Sequence, residues 1–207
     1  MKLSILVCSL FQRQSLLDSL YHNIRIQIKQ GDYHDFIEVL TEIDNGEEST
    51  GKKRNELLER AKGDYVCFID DDDEISPNYI NILLEAIKTN PDCVSLRGVM
   101  TTSGQNPLVF EHSIKYAAYA TKEPDQAFKQ SPSWVKAVWE QNRFVTYERY
   151  PNHLNCIRAS IAKQFKFPEI NHGEDTNWAT QIFNSGLIKT EFYTDEILYY
   201  YRYNPIK

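Results

Sequence analysis

Apolar residues in the first half of the chain alternate between short continuous runs and stretches with helical spacing. The runs predict strands at residues 3–9, 36–43, 64–69 and 93–100. The stretches predict helices at residues 14–29, 52–62 and 77–90. Because strands and helices alternate, we expect an α/β fold in which helices flank a mostly parallel central sheet. In such sheets, ligands bind beyond the carboxyl ends of the strands.

The second half of the chain has a less regular pattern. Residues 101–132 have no clean period, and we expect loops there. The later apolar runs predict helices at residues 157–165 and 174–184 and strands at residues 188–193 and 197–203. No linker-like stretch separates the two halves, so the sequence predicts a single domain spanning residues 1–207.

The composition is that of an ordinary globular protein. Of the 207 residues, 42% are hydrophobic and 25% are charged, which disfavours intrinsic disorder. The formal net charge of −6 gives no support to nucleic acid as a partner, because nucleic-acid binders usually present a basic face. No apolar stretch approaches the roughly 20 residues that a membrane helix needs, so we expect no integral membrane segment.

The cysteines indicate a reducing compartment. Cys8, Cys67, Cys93 and Cys156 lie far apart and form no CxxC pair, which makes a zinc site improbable. Two of them lie inside apolar runs that we interpret as buried strands. Free buried thiols fit a reducing environment best, and we therefore expect a cytoplasmic protein.

A run of four aspartates, residues 70–73, follows the predicted strand at residues 64–69. Adjacent carboxylates repel one another, so a folded protein keeps them where solvent or a cation relieves the repulsion. Mg²⁺ and Mn²⁺ favour oxygen ligands and are usually held by one or two carboxylates together with substrate phosphates. The run is therefore either a metal site or a solvated acidic loop at the start of the helix that Pro77 opens.

The residues around this acidic run form a more specific pattern. Arg54-Asn55 opens the preceding helix, and the turn Ala61-Lys62-Gly63-Asp64-Tyr65 leads into the apolar strand before the aspartates. This stretch resembles the family-2 glycosyltransferases of the Rossmann-like GT-A fold. Further segments agree with that family in their order along the chain: Ser9 with Arg13, Asp44-Asn45-Gly46, Gly173-Glu174-Asp175, and the aromatic stretch at residues 198–202.

The resemblance implies a metal-dependent glycosyltransferase that inverts the anomeric centre. It implies a nucleotide-diphosphate sugar as donor, a glycan or another hydroxyl compound as acceptor, and Mn²⁺ or Mg²⁺ as cofactor. The family most often uses UDP-sugars, and the carboxylate of Asp44 suits the N–H donor of uracil. Residues 1–100 would bind the nucleotide sugar, and residues 101–207 would bind the acceptor.

The resemblance also assigns roles to individual residues of the donor site. The residues that it places around the nucleotide sugar are Ser9, Arg13, Asp44, Asn45, Arg54, Asp70 and Asp71. Asp72 would ligate the metal, and Asp70 would reach the ribose or the metal-bound water. A metal at this position stabilises the negative charge that develops on the leaving diphosphate.

Two further carboxylates are candidates for the proton transfer. The resemblance makes Asp175 the general base that takes the proton of the acceptor hydroxyl, with Glu174 contacting the acceptor or exchanging roles with it. Adjacent carboxylates push one pKa upward, toward the working pH. The same pair also suits a helix N-terminus after Gly173, and both interpretations can hold together.

Three more side chains are candidates for acceptor binding. Trp178 follows Asp175 by three residues, so it lies on the same side of the predicted helix and is either a platform for a sugar ring or a core residue. His153 and His172 are candidates for contact with the metal or the acceptor, or for structural hydrogen bonds.

Two other functions remain open at the level of the sequence. A nucleotidyltransferase usually has a glycine-rich phosphate loop after the first strand, and residues 9–13 contain no glycine. A non-catalytic carbohydrate- or protein-binding module on the same fold would keep the acidic run but show no turnover.

Overall fold

The chain folds into two six-stranded sheets with helices packed against them. The structure is a computed structural model that describes residues 2–117, 120–122 and 146–203. Its strands are β1 Leu3–Leu10, β2 Ile37–Asp44, β3 Tyr65–Phe68, β4 Glu74–Ile75, β5 Cys93–Val94, β6 Leu96–Thr102, β7 Gln105–His112, β8 Ala120–Lys122, β9 Thr146–Arg149, β10 Ile157–Arg158, β11 Glu191–Phe192 and β12 Ile197–Tyr203. Its helices are α1 Gln14–Gly31, α2 Thr50–Arg60, α3 Tyr79–Ile87, α4 Ala159–Ala162 and α5 Glu174–Ser185.

The first sheet has the strand order β11-β5-β10-β3-β1-β2. The strands β2, β1 and β3 are parallel, with Leu10 opposite Asp44 and Leu6 opposite Phe68. Their carboxyl ends therefore meet at one edge of the sheet, where open α/β folds bind their ligands. The residues that follow them are the 3-10 turn Phe11–Arg13, the loop at residues 45–49 and the acidic run.

Helices cover both faces of the first sheet, which explains why β1 is a continuous apolar run rather than an alternating one. Leu3, Ile5 and Val7 belong to the core that α1 and α3 share. Leu6 faces the other way, into the core that α2 and α5 share. Full burial of each such side chain contributes roughly 1.5–3 kcal/mol, so both faces of β1 stabilise the fold.

The second sheet has the strand order β4-β12-β6-β7-β9-β8 and is mixed. β6 and β7 form a hairpin whose turn places Ser103 and Gly104 at positive φ, 49° and 74°, as a tight turn between antiparallel strands requires. The expectation of loops over residues 101–132 is therefore wrong for residues 105–112. Pro107 and the buried polar residues Glu111 and His112 hide the strand period in the sequence.

The predicted strand at residues 93–100 is in fact two strands in different sheets. β5 pairs with β10 and β11 in the first sheet, whereas β6 pairs with β12 and β7 in the second. The break lies at Ser95, whose Oγ accepts a hydrogen bond from the Thr194 backbone N–H (2.8 Å). Because both segments are buried and apolar, their sequence pattern does not reveal the change of sheet.

The two halves of the chain exchange strands between the sheets. β10 and β11 come from the second half and join the first sheet, while β4 comes from the first half and pairs with β12 in the second sheet. Within the described part of the chain, no helix has both the length and the apolar character that crossing a membrane requires.

Candidate active site

A cavity of about 1000 Å³ opens where the carboxyl ends of β1, β2 and β3 meet. One wall comes from this edge of the first sheet and carries the acidic run. The facing wall comes from the second sheet and includes the apolar and aromatic side chains Met100, Leu108, Phe110, Tyr147 and Tyr201. Both halves of the chain therefore line the same cavity.

The acidic run divides into two kinds of carboxylate. Asp71 and Asp73 are buried, each with 3% of its surface exposed. Asp71 accepts a hydrogen bond from the Ser9 hydroxyl (2.6 Å) and pairs with Arg13 (2.7 Å). Asp73 accepts from the Tyr199 hydroxyl and from the Arg202 backbone N–H, both at 2.8 Å. Buried donors thus relieve part of the repulsion within the run.

Asp70 and Asp72 are the more accessible members of the run and line the cavity. Asp72 pairs with Arg13 at 2.5 Å, so Arg13 bridges Asp71 and Asp72. Asp70 accepts a hydrogen bond from Arg54 at 3.0 Å. Burial raises the pKa of Asp71, and burial followed by the charge of Asp70 holds the pKa of Asp73 well above its usual range.

The carboxyl end of β2 carries a second ion pair. Asp44 accepts a hydrogen bond from Lys53 Nζ (2.6 Å) and another from the Glu48 backbone N–H (2.7 Å). Partial burial works to raise the pKa of Asp44, but these hydrogen bonds outweigh it and lower that pKa. Lys53 also donates to the Ser9 carbonyl (3.0 Å) and so joins the ends of β1 and β2.

Lys53 is a site residue that the sequence analysis missed. The signal for it lies in helix spacing, because Lys53 and Arg54 precede Leu57 and Leu58 by four residues and share their buried face. The structure does not bring the predicted Asn45 to the site. Asn45 is exposed and its side-chain amide donates to Glu47 (3.0 Å), whereas Gly46 and Glu48 line the cavity.

Arg54 contacts one carboxylate of the acidic run and one carboxylate of α5. Arg54 is 4% exposed, and its guanidinium lies between Asp70, at 3.0 Å, and Glu174, whose Oε1 is 3.4 Å from Nε. The rings of Phe68 and Phe167 lie 5.1 and 5.7 Å from its carbon Cζ and form an aromatic floor. Arg54 is therefore a fixed positive charge between the acidic run and the start of α5.

A close approach of α2 to the segment before α5 brings Arg54 next to Glu174. A Cβ on Gly51 would lie 1.9 Å from the Pro168 carbonyl oxygen, so only glycine fits between the two backbones. The Gly51 N–H donates to the Ile170 carbonyl (3.1 Å). Gly173 then takes φ = +82° at the N-cap of α5, and this turn brings Glu174 and Asp175 to the cavity.

The two carboxylates at the start of α5 differ in their electrostatic environment. Burial raises the pKa of Glu174, even though Arg54 opposes it. Burial also works to raise the pKa of Asp175, but the nearby side chains of His153 and Arg54 outweigh it and lower that pKa. The upward shift that the sequence analysis predicted for one member falls on Glu174, while Asp175 stays ionised and able to accept a proton.

The three predicted acceptor-binding residues have different positions. His153 lines the cavity but is 5% exposed, with Nδ1 3.6 Å from Asp175 Oδ2 and Nε2 3.8 Å from Asp70 Oδ2. His172 is exposed and also lines the cavity. The prediction for Trp178 is wrong, because its ring is 1% exposed and stacks on Phe167 at 4.7 Å beneath Arg54.

The described residues include no group of three or more His, Cys, Asp or Glu side chains arranged to hold a metal ion. Asp70 and Asp72 line the cavity and are the more exposed carboxylates of the acidic run. Two carboxylates and a substrate diphosphate form the usual ligand set for Mg²⁺ or Mn²⁺. These side chains therefore fit a metal whose remaining ligands come from the donor phosphates.

Comparison with known proteins identifies the class. The model of the family described as glycosyl transferase family 2 matches residues 31–137, just over half of the chain. The chain belongs to this family, which confirms the resemblance seen in its motifs. No curated protein matches the chain significantly.

Solved structures share the fold. S. aureus TarS 1-349 in complex with UDP-GlcNAc aligns with a TM-score of 0.63 and 16% identity over 100% of this chain and 60% of that one. The same TarS segment in complex with UDP aligns with a TM-score of 0.60 and 17% identity, covering 99% and 61% of the two chains. The chain thus spans about 60% of the length of these relatives, and its predicted GT-A fold is confirmed.

Proposed function

We propose that the chain transfers a sugar from a UDP-sugar to a hydroxyl acceptor and inverts the anomeric centre. The observation that carries this proposal is the arrangement of carboxylates around one cavity. Asp70, which pairs with Arg54, lines the cavity together with Asp72 and Asp175. A donor between them would have its diphosphate at the acidic run and its sugar facing Asp175.

The proposed reaction exchanges one bond at the anomeric carbon for another. The acceptor oxygen attacks the anomeric carbon while the bond from that carbon to the diphosphate oxygen breaks, and its electrons remain on the leaving UDP. Asp175, which its lowered pKa keeps ionised, takes the proton of the acceptor hydroxyl. Attack from the face opposite the leaving group gives the inverted product.

Residues at the carboxyl ends of β1, β2 and β3, together with Arg54 of α2, are proposed to bind the donor. Asp44 keeps acceptor capacity for the uracil N–H, because a carboxylate has about four acceptor positions and three are used by Lys53, Glu48 and Gly46. Arg13 and Arg54 lie near the diphosphate position and favour its charge. Asp70 and Asp72 would hold Mn²⁺ or Mg²⁺, which stabilises the negative charge of the departing diphosphate.

Separate observations support the proposed donor and the proposed compartment. The TarS complexes with UDP-GlcNAc and UDP support a uridine nucleotide and make UDP-GlcNAc the first donor to test. The cysteines at positions 8, 67, 93 and 156 are all free, and three of them are buried, which supports a reducing compartment such as the cytoplasm.

The test combines ligand binding with turnover. Melting curves with UDP, GDP, CDP and dTDP, each with Mn²⁺, Mg²⁺ or a chelator, should show a shift with UDP that requires the metal. Asp175→Asn should reduce the release of UDP from a UDP-sugar by about 10²- to 10⁴-fold, the usual contribution of a general base, while UDP still binds.

Two results would contradict the proposal. Near-normal turnover by Asp175→Asn would exclude Asp175 as the base. A cooperative melting curve that no nucleotide shifts would instead favour a binding module that keeps the fold without the reaction.

A further inference from the structure

His153 is a buried residue of the cavity lining, and hydrogen bonds hold its backbone in place. Its backbone carbonyl accepts a hydrogen bond from the Phe68 N–H (3.0 Å), which ties it to the end of β3. The Asn152 side chain accepts from the Leu154 N–H (3.1 Å), and the Asn155 side chain accepts from the Asn152 N–H (3.0 Å). These bonds hold the backbone on both sides of His153, so its ring has little freedom to move away.

Both ring nitrogens of His153 are buried and have no hydrogen-bond partner among the described residues. Nδ1 lies 3.6 Å from Asp175 Oδ2, and Nε2 lies 3.8 Å from Asp70 Oδ2. Each gap is too long for a hydrogen bond and too short to admit a water molecule between the atoms. A shift of less than 1 Å would turn either contact into a hydrogen bond.

His153 lies nearer to Asp175 than to Asp70. Asp70 already accepts a hydrogen bond from Arg54 at 3.0 Å. Asp175 is the nearer of the two carboxylates, and its side chain is 25% exposed to the cavity. An imidazole that carries its proton on Nδ1 would donate to Oδ2 of Asp175 and leave Oδ1 for the proton of the acceptor.

We propose that His153 is the residue that positions Asp175 for proton transfer, through a hydrogen bond from Nδ1 to Oδ2. This role rests on the proposed function, because it requires Asp175 to act as the base. His153 itself stays beneath the cavity surface and need not touch the acceptor. The bond fixes the orientation of the carboxylate plane, on which proton transfer from a bound hydroxyl depends.

Two matched variants distinguish a hydrogen bond from His153 to Asp175 from a hydrogen bond from His153 to Asp70. In His153→Asn the amide nitrogen takes nearly the place of Nδ1 and still faces Asp175, whereas in His153→Gln it takes nearly the place of Nε2 and faces Asp70. His153→Ala removes both donors. Turnover is measured as UDP release from the UDP-sugar that the wild-type protein uses, and UDP affinity is measured by titration with Mn²⁺ and with chelator.

The expected result is a loss of turnover with unchanged donor binding. His153→Ala and His153→Gln should lose about 100-fold in kcat, the usual effect of a reacting group misplaced by about 1 Å, and His153→Asn should recover most of that loss. UDP affinity and its dependence on Mn²⁺ should match the wild-type values in all three variants, and each should give a cooperative melting curve.

Several outcomes would overturn the proposal. Equal turnover in His153→Asn and His153→Gln, or rescue by Gln rather than Asn, would remove the link to Asp175. A parallel loss of UDP affinity would indicate a role in donor or metal binding instead. A wild-type protein that releases no UDP from any UDP-sugar would reject the proposed function itself, and the role of His153 with it.

Discussion

The buried charge pair between Arg54 and Glu174 gives the sharpest prediction about stability. Both side chains are nearly inaccessible, 5% and 6% exposed, and their charged atoms lie 3.4 Å apart. Arg54→Met keeps an unbranched apolar stem above Phe68 and Phe167 but removes the positive charge. The variant leaves Glu174 buried with its nearest compensating charge gone.

The distance between the two charges sets the loss of stability that we expect in Arg54→Met. Coulomb's law with an effective dielectric constant of about 20 gives an attraction of about 5 kcal/mol for unit charges at 3.4 Å. Breaking a buried pair by removing one partner typically costs about 3–5 kcal/mol. The pair of Arg54 with Asp70 adds less, because the Asp70 side chain is 31% exposed and water screens it. We expect Arg54→Met to lower the free energy of unfolding by about 3–5 kcal/mol, which is about 6–20 °C in Tm.

The pH dependence of the variant follows from Glu174. Burial already raises the pKa of Glu174 in the folded protein, and loss of Arg54 should raise it further. An acid whose folded pKa exceeds its unfolded value binds its proton more tightly in the folded state, so stability falls as pH rises above the unfolded pKa. The destabilisation of Arg54→Met should therefore be smallest in acid and grow toward neutral pH.

Urea denaturation at several pH values measures these effects, with a constant m-value as the check on two-state behaviour. The matched control is the double variant Arg54→Met with Glu174→Gln, which removes the uncompensated charge and should recover most of the loss. A loss below about 1 kcal/mol in the single variant would refute the reasoning, as would a double variant no more stable than the single one.

Two further predictions concern His112 and Asp72. Burial, together with the charge of Arg149, lowers the pKa of His112 to about 3, whereas the unfolded state takes up a proton near pH 6.5. Wild-type stability should therefore fall by up to about 1.4 kcal/mol per pH unit as pH drops from 6 to 4, and His112→Asn should reduce that slope by the same amount in urea titrations. An unchanged slope would exclude His112 as its source. Asp72→Asn should lower UDP affinity measured with Mn²⁺ toward the wild-type value with chelator, and an unaltered response to Mn²⁺ would exclude Asp72 as a metal ligand.

The sequence predicts the edge of the first sheet where β1, β2 and β3 end, because the geometry there depends on local rules. β1, β2 and β3 are continuous apolar runs, and parallel strands must bring their carboxyl ends to one edge. The predicted positions of Ser9, Asp44 and Asp70 at that edge follow from this alone. The role of each carboxylate in the acidic run does not follow, because four identical residues carry no signal of which ones are buried.

Long-range packing accounts for what the sequence did not predict. Trp178 follows Asp175 at a spacing that suits either a sugar platform or a core residue, and only the position of Phe167 decides for the core. Helix spacing places Lys53 on the buried face of α2, but it does not reveal that Asp44 lies 2.6 Å away. The two-residue strand β4 forms only because β12 lies beside it.

The hydrogen bonds from β12 to Asp73 have a consequence for how the protein is made. Tyr199 and Arg202 hold this carboxylate across 126 and 129 residues of sequence. The acidic run therefore cannot reach its final arrangement on the ribosome until residue 202 has emerged, although residues 1–75 are synthesised much earlier. Contacts of such long separation form slowly. The arrangement of the acidic run should thus arise in one late folding event rather than grow with the nascent chain.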